Sequence, residues 1–327
     1  MVQRTTGIRD GSIRMMGRIG FTLLLAASVL LIWTAPAARA QCSGCQVTAG
    51  SWDPYDFLDA DLSVSPPASG QPVSTGAAAA SSSLYRSGQF PSDLLLKSPK
   101  SVSTSDLILD VSDGKRDWYP RAAVGLPYTG LMRGSGLRSY SEMAAALSEI
   151  GLSNNDSVVV ASEDPAQAAL MVWALKYLGT VDASLLDGGY EAWRAAGLPR
   201  DTALASRKAG DFSPEPNYDL LATSLPAGAT LVDARPFSNA SQGRLAGAVN
   251  IDAREIVRQG RIKDRLELER VFSRLDRDRD VVVSSPDLTQ AAIVWYGLEL
   301  MGFQASLMEW ERAKEAPKAQ TGVFSLG

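Results

Sequence analysis

The chain has 327 residues, with 32 basic side chains, 36 acidic side chains and no histidine. This length accommodates two domains of ordinary size. The absence of histidine excludes Ser-His and Cys-His catalytic dyads and imidazole metal ligands. The acidic balance argues against nucleic acid as a partner, because phosphate binding needs clustered lysine and arginine.

Residues 1–40 have the pattern of an export signal. Arginines precede an apolar run at residues 21–33, and Ala38, Arg39 and Ala40 form a small-x-small cleavage sequence. The run is shorter than the roughly 20 residues that span a bilayer. We expect cleavage after Ala40 and a periplasmic or secreted protein, with 27 basic and 35 acidic residues and a net charge of −8. An uncleaved N-terminal segment that anchors the protein to the membrane is the alternative.

Residues 41–83 are rich in Ser, Ala, Pro and Gly and are predicted to form a flexible tether. The tether carries Cys42 and Cys45, whose Cys-x-x-Cys spacing is typical of redox or metal sites. Gln46 stands where a haem-attachment motif needs histidine, and the chain has no further cysteine or histidine to complete a zinc site. We therefore expect no metal and no cofactor. A disulfide between the two cysteines, a link to a partner and a tethered dithiol or persulfide carrier all stay open.

An internal repeat begins after the tether. Residues 158–169 align without gaps on residues 281–292 at an offset of 123, and the same offset pairs Asp110 with Asp233. This agreement over separated segments predicts a tandem duplication. The predicted units are a first domain at 84–200, a linker at 201–216 and a second domain at 217–327.

Each copy alternates short apolar runs with helical patterns. This alternation predicts an α/β fold in which helices flank a mostly parallel sheet, with ligands at the loop ends of the strands. Asp110 and Asp233, near the ends of two strands, are expected to bond loop backbone. The predicted strands are 107–111, 158–160, 230–234 and 281–283, and the predicted helices are 140–150, 166–178, 266–275 and 289–301.

Residues 185–199, with Asp187 followed by two glycines and then Trp193, closely resemble the closing motif of the rhodanese family. Residues 231–251 are similar to the opening motif of that family, with Arg244 in place of the usual histidine, and residues 260–268 resemble the segment before its active-site loop. The resemblance implies two tandem rhodanese-like domains. From the residues alone, we expect Asp187 and its glycines to form a tight turn and Trp193 to pack in the core.

In the rhodanese family the chemistry belongs to a cysteine directly after a buried strand, which becomes a persulfide and passes its sulfur to an acceptor. Carried onto this sequence, that position falls on Ser162 and Ser285. A serine hydroxyl forms no persulfide, and the chain has no histidine to activate it.

The two loops that follow these serines share the pattern Ser-x-Asp-x-x-Gln. Neither loop contains Arg or Lys. In the family the backbone N–H groups of this loop and the start of the next helix can bind an anion. The carboxylates present here would repel an anion such as thiosulfate. We expect the shared pattern to cap the following helices. The remnant loop residues are Asp164, Gln167, Asp287 and Gln290.

These observations predict an exported, catalytically degenerate protein that acts as a binding or scaffold protein in the cell envelope. Its expected partner is an envelope protein or a small sulfur-containing anion. The alternative is a sulfurtransferase or persulfide carrier that uses Cys42 and Cys45. Hydrolase or phosphatase chemistry at the serines is disfavoured, because no histidine base is available.

Overall fold

The computed structural model describes residue 86 and residues 88–241 and 243–316. The predictions made for residues 1–83, including the export signal, Cys42 and Cys45, lie outside the described residues. Within the described part, no helix is long and apolar enough to cross a membrane.

Two five-stranded parallel sheets form the body of the described chain. The first sheet has the strand order β1-β8-β7-β2-β4, and the second has the equivalent order β10-β16-β15-β11-β12. Three two-stranded antiparallel pairs, β3-β9, β5-β6 and β13-β14, complete the strands. The strands are β1 Leu96–Lys97, β2 Leu107–Asp110, β3 Tyr119–Pro120, β4 Val124–Gly125, β5 Met132–Arg133, β6 Gly136–Leu137, β7 Ser157–Ala161, β8 Asp182–Leu186, β9 Arg200–Asp201, β10 Leu221–Ala222, β11 Thr230–Asp233, β12 Val249–Asn250, β13 Val257–Arg258, β14 Arg261–Ile262, β15 Val281–Ser284 and β16 Ala305–Met308.

The central strand pairs of the two sheets have the same register. Leu107 lies opposite Val158 in the first sheet, and Thr230 lies opposite Val281 in the second. Both pairs are related by the 123-residue offset seen in the sequence. The apolar residues of these strands are buried because helices cover both sheet faces, as is usual for parallel sheets. The predicted α/β class with mostly parallel, helix-flanked sheets is confirmed.

Seven α-helices and five short 3-10 helices connect the strands. The α-helices are α1 Tyr140–Glu149, α2 Pro165–Tyr177, α3 Gly189–Ala195, α4 Phe237–Ala240, α5 Arg265–Val271, α6 Leu288–Leu300 and α7 Trp310–Glu315. The 3-10 helices are Asp93–Leu95, Pro99–Ser101, Tyr128–Leu131, Tyr218–Leu220 and Ala253–Glu255. All of these counts refer to the residues that the structure describes.

Helices α2 and α6 join the two halves of the molecule. The two helices pack against each other, and most residues of each are buried, so neither has a polar face. Trp173 and Trp295 lie fully buried in one hydrophobic cluster that includes residues of both sheets. The two sheets therefore share a continuous core.

Capping explains where α1 and α5 begin. Ser139 accepts a hydrogen bond from the Glu142 backbone N–H, and the Glu142 carboxylate accepts one from the Ser139 backbone N–H. Asp264 and Glu267 form the same reciprocal pair at the start of α5. These two capping boxes satisfy N–H groups that a helix start leaves unpaired.

The helix predicted at 266–275 is wrong at its C-terminal end, because α5 stops at Val271. Phe272 and Leu275 are both buried, but the Leu275 N–H donates to the Phe272 carbonyl in a turn. The helical spacing of Phe272 and Leu275 correctly predicts that both are buried. The tight turn after α5 buries these two side chains without extending the helix.

The segment predicted as a linker is fixed to the body along its length. β9 pairs with β3, the Gly210 N–H donates to the Ser148 carbonyl at 2.8 Å, and the Glu215 N–H donates to the Leu178 carbonyl at 2.9 Å. Phe212 is buried. The chain thus passes from the first sheet to the second along a defined path.

Candidate functional site

Two equivalent serines lie at the ends of the central strands β7 and β15. Ser162 and Ser285 are only 4% and 1% exposed. The Ser162 hydroxyl donates to Gln167 Oε1 at 3.0 Å, and the Ser285 hydroxyl donates to Gln290 Oε1 at 2.9 Å. Each hydroxyl oxygen also accepts a hydrogen bond of 3.2 Å from the backbone N–H two residues later in the chain. The two serines therefore share these two hydrogen bonds, and Ser162 has a further contact of 3.4 Å with the Ser112 hydroxyl.

Aspartates cap the helices that follow these serines, as the sequence predicts. The Asp164 carboxylate accepts from the Ala166 N–H at 2.9 Å, and the Asp287 carboxylate accepts from the Thr289 N–H at 3.0 Å. Each carboxylate lies at the positive end of a helix dipole, the place where an anionic ligand would be stabilised.

Gln167 and Gln290, named with the remnant loops, lie in helices, which agrees with the helices predicted at 166–178 and 289–301. Gln167 belongs to the first turn of α2, and Gln290 belongs to the first turn of α6. The reason is that each aspartate starts its helix immediately, so the loop before it is very short. As a result, both glutamine side chains reach back to the serine hydroxyls.

An ion pair that could not be predicted from the sequence forms at the loop after Ser162. Arg116 pairs with Glu163, the residue after Ser162, with an N–O distance of 2.5 Å. The guanidinium of Arg116 also lies 4.1 Å from the ring centroid of Tyr190. The repulsive carboxylate expected at this loop is therefore partly neutralised by a residue 47 positions away in the chain.

The tyrosines near the loops cannot serve as bases at neutral pH. Burial raises the pKa of Tyr190, and the nearby Asp110 carboxylate adds to the rise while Arg116 opposes it. Burial also raises the pKa of Tyr128, helped by carboxylates that include Asp287 and Asp164. Both phenols stay protonated. Two side chains bond the Ser162 hydroxyl, Gln167 and, at 3.4 Å, Ser112. Neither an amide nor a hydroxyl is basic enough to deprotonate a serine at neutral pH.

The strand-end turn around Asp187 forms as predicted, with φ of 72° at Gly188 and 52° at Gly189. Trp193 is buried, and its indole N–H donates to the Pro199 carbonyl at 2.9 Å. Asp110 accepts from the Ser112 N–H, which confirms its expected bond to loop backbone.

Asp187 has a further role that sequence reasoning missed. Its carboxylate is 2% exposed and pairs with Arg86, at the start of the described chain, and with Arg261 of β14, at 2.8 Å. Arg86 also donates to the Ile262 carbonyl. Asp187 thus ties the first sheet to the β13-β14 hairpin beside the second sheet.

The Ser285 loop opens onto a cavity of about 460 Å³, which we name the aromatic cavity. It lies between this loop, the end of β16, the hairpin β5-β6 and the first turn of α1. Arg235 stacks on one wall residue, Trp310, with its guanidinium 4.5 Å from the ring centroid. Apolar and aromatic side chains dominate the lining: Leu137, Tyr140, Met143, Trp173, Tyr177, Leu221, Pro286, Leu288, Leu307, Met308 and Trp310.

The polar groups of the aromatic cavity are few. They are Ser135, Arg138, Ser139, Ser285, Glu309 and Glu311. An apolar wall with a small number of polar groups is typical of sites for small molecules. Across residues 86–316, as far as they are described, no cluster of three or more Cys, Asp or Glu side chains could hold a metal ion.

Comparisons with known proteins agree with this architecture. Residues 104–196 match the model of the rhodanese-like domain. The chain is 25% identical over 201 residues to the 3-mercaptopyruvate sulfurtransferase of Escherichia coli, covering 53% of this chain and 72% of the relative. It is 39% identical over 118 residues to the probable 3-mercaptopyruvate sulfurtransferase of Pseudomonas aeruginosa, covering 33% of this chain and 40% of the relative.

A solved structure shows the same fold. The crystal structure of the 3-mercaptopyruvate sulfotransferase from Escherichia coli, described as having the rhodanese fold, superposes with a TM-score of 0.56 at 22% identity. The match covers 63% of this chain and 92% of that chain. Residues 104–196 thus match a rhodanese-like domain, and the aligned part of the chain is similar to sulfurtransferases.

Proposed function

We propose that this protein is a non-catalytic, two-copy rhodanese-like protein that binds a small apolar molecule in the aromatic cavity. The two copies are residues 84–200 and 217–327, joined by 201–216. The repeated strand order and the constant 123-residue offset support the second copy, which lies beyond the residues matched by the family model.

The bonding of Ser162 and Ser285 is the observation that carries the non-catalytic part of this proposal. A persulfide carrier needs a thiolate, which attacks the sulfur donor and holds the transferred sulfur. Both hydroxyls are instead buried and donate to glutamine oxygens, which are not bases. The chain contains no histidine and no cysteine after Cys45, so neither strand-end loop holds a thiol.

The capping carboxylates support the same conclusion. An anionic sulfur donor would be attracted to the backbone N–H groups at the start of α2 or α6. Asp164 and Asp287 already occupy these positions with their own negative charge. A thiosulfate dianion would therefore meet an electrostatic penalty at both loops.

The aromatic cavity supports the binding part. Its volume of about 460 Å³ suits a small organic molecule, since ligand pockets range over roughly 300–1,000 Å³. The accessible side chains of Tyr140 and Trp310 offer flat aromatic faces in its wall. Burying a ligand ring against these faces is favourable by roughly 25 cal/mol per Å² of apolar surface.

We expect the full chain to show no turnover above the blank with thiosulfate and cyanide, or with 3-mercaptopyruvate as the sulfur donor. The Cys42→Ser/Cys45→Ser double variant is the matched comparison. Turnover that persists in the double variant would prove that the loops transfer sulfur and would overturn the non-catalytic proposal. Turnover that the double variant loses would instead establish the second candidate, a carrier built on Cys42 and Cys45.

We also expect the neutral fluorophore N-phenyl-naphthylamine to bind in the aromatic cavity with a rise in fluorescence. Replacing Tyr140 by alanine should weaken binding by about fivefold or more, because an exposed aromatic wall is lost. Phe237→Ala is the control, since Phe237 is an exposed aromatic residue outside this cavity. Equal titration curves for the wild type and Tyr140→Ala would refute binding at this site.

A further inference from the structure

A second cavity, of about 650 Å³, has a different chemistry from the aromatic cavity. It lies between the start of the described chain and the hairpin β13-β14 with the first turn of α5. We name it the cationic cavity. Its lining is Arg86, Gly88, Gln89, Arg258, Gln259, Arg261, Ile262, Lys263, Asp264, Arg265 and Leu266.

Positive charge dominates this lining. It contains five cationic side chains and one carboxylate, Asp264. The Asp264 carboxylate is already engaged, because it accepts the Glu267 N–H at 3.0 Å in the capping box of α5. A concave surface with one sign of charge concentrates ions of the opposite sign.

Three of the cations are available to a ligand. Arg258 and Arg265 pair with Glu267 and Glu269 at the protein surface, where solvent and salt weaken ion pairs. An incoming anion can compete with partners held so weakly. For Lys263 there is no ion pair with any carboxylate of the described chain.

The other two cations are fixed in place. Arg86 is 8% exposed, and both Arg86 and Arg261 bond the buried carboxylate of Asp187. Their guanidinium groups cannot turn away from the cavity without breaking these bonds. Together with the Asp187 carboxylate, the two guanidinium groups leave one net positive charge fixed at the cavity wall.

The turn of the hairpin is strained at the cavity edge. Gln259 has a φ of 51° and Gly260 has a φ of 73°. Both values lie in the left-handed region that a two-residue hairpin turn requires and that favours glycine over residues with a side chain. Strain of this kind persists where the surrounding structure fixes it, often at ligand sites. Gln259 itself lies in the cavity lining.

The equivalent hairpin beside the first sheet provides the contrast. β5-β6 and β13-β14 each end two residues before a helix N-cap, at Ser139 and Asp264 respectively. When the two hairpins are aligned in this way, Tyr140 corresponds to Arg265, and Gly136 corresponds to Arg261. The first hairpin lines the aromatic cavity and the second lines the cationic cavity. Two equivalent hairpins thus line cavities of different character, one mainly apolar and one mainly cationic.

We propose that the cationic cavity binds a small multivalent oxyanion, held by Lys263, Arg258 and Arg265 and by the fixed field of Arg86 and Arg261. Oxygen atoms of such an anion match the fork of an arginine and the point charge of a lysine. This site is separate from the two serine loops and from the aromatic cavity.

Titration calorimetry of the full chain with inorganic pyrophosphate tests this proposal. We expect saturable binding that weakens as the NaCl concentration rises, because salt screens exposed charges. Lys263→Gln and Arg265→Gln should each weaken pyrophosphate binding by about tenfold, the effect of losing one charge-assisted hydrogen bond. The double variant should show no measurable heat of binding.

Arg194→Gln is the matched control, because Arg194 is also in an exposed ion pair with a glutamate but lies outside the cavity. It should bind pyrophosphate like the wild type. Wild-type affinity in the Lys263→Gln/Arg265→Gln double variant, or an equal loss in Arg194→Gln, would overturn the proposal. Binding of the neutral fluorophore should be unchanged in all of these variants, so failure at this cavity is distinguishable from failure of the proposed function.

Discussion

The Asp187→Asn variant is expected to lose about 3–5 kcal/mol of unfolding free energy, the usual cost of removing one partner from a buried ion pair. Asp187 is 2% exposed, and its carboxylate is bonded by both Arg86 and Arg261. Asparagine has nearly the same size but no charge. The substitution therefore leaves the Arg86 guanidinium buried without its counter-charge, and equilibrium unfolding in urea measures the loss.

Two further variants serve as comparisons for the loss of unfolding free energy in Asp187→Asn. Glu191→Gln removes a carboxylate from the exposed pair with Arg194 and should cost under about 1 kcal/mol. Arg86→Met should cost less than Asp187→Asn, because Asp187 keeps its bond to Arg261. If Asp187→Asn unfolds at the same urea concentration as Glu191→Gln, the ion pair does not hold the hairpin to the first sheet.

The sheets and main helices could be predicted from the sequence because they depend on local patterns. Runs of valine such as 158–160 are typical of buried parallel strands, and aspartate before an apolar helix is typical of an N-cap. The constant offset between repeats fixed which segments are equivalent. The end of α5 could not be predicted, because Phe272 and Leu275 are buried in a turn that keeps helical spacing.

The contacts that shape the site join residues far apart in the chain. Arg86 and Asp187 are 101 positions apart, and Arg116 and Glu163 are 47 positions apart. Spacing rules apply within one helix or strand, so they carry no information about such pairs. The strand-end serines were identified because the resemblance to the rhodanese family places its cysteine directly after a buried strand, at Ser162 and Ser285. The two cavities were not, because their walls combine segments that are far apart in the chain.

The Gly189→Ala variant is expected to destabilise the protein by roughly 2–4 kcal/mol, since strain at a positive φ adds to an overlap that packed backbone cannot relieve. Gly189 has a φ of 52° and begins α3. A Cβ atom at this position would overlap the backbone carbonyl oxygen of Ser162. That oxygen belongs to the backbone of buried Ser162 and cannot rotate away as a flexible side chain would. Urea unfolding should report the loss, and amide exchange should show faster opening of residues 162–166.

The Gly197→Ala variant separates the two causes. Gly197 follows the same helix with a φ of 68°, but a Cβ atom there would meet nothing within 4 Å. It should therefore show only the conformational cost of about 1–2 kcal/mol. Equal losses in the two variants would mean that the turn after Asp187 does not press on the Ser162 loop. A larger loss in Gly189→Ala would show that the closing turn of the rhodanese-like domain holds its strand-end loop in place by direct backbone contact.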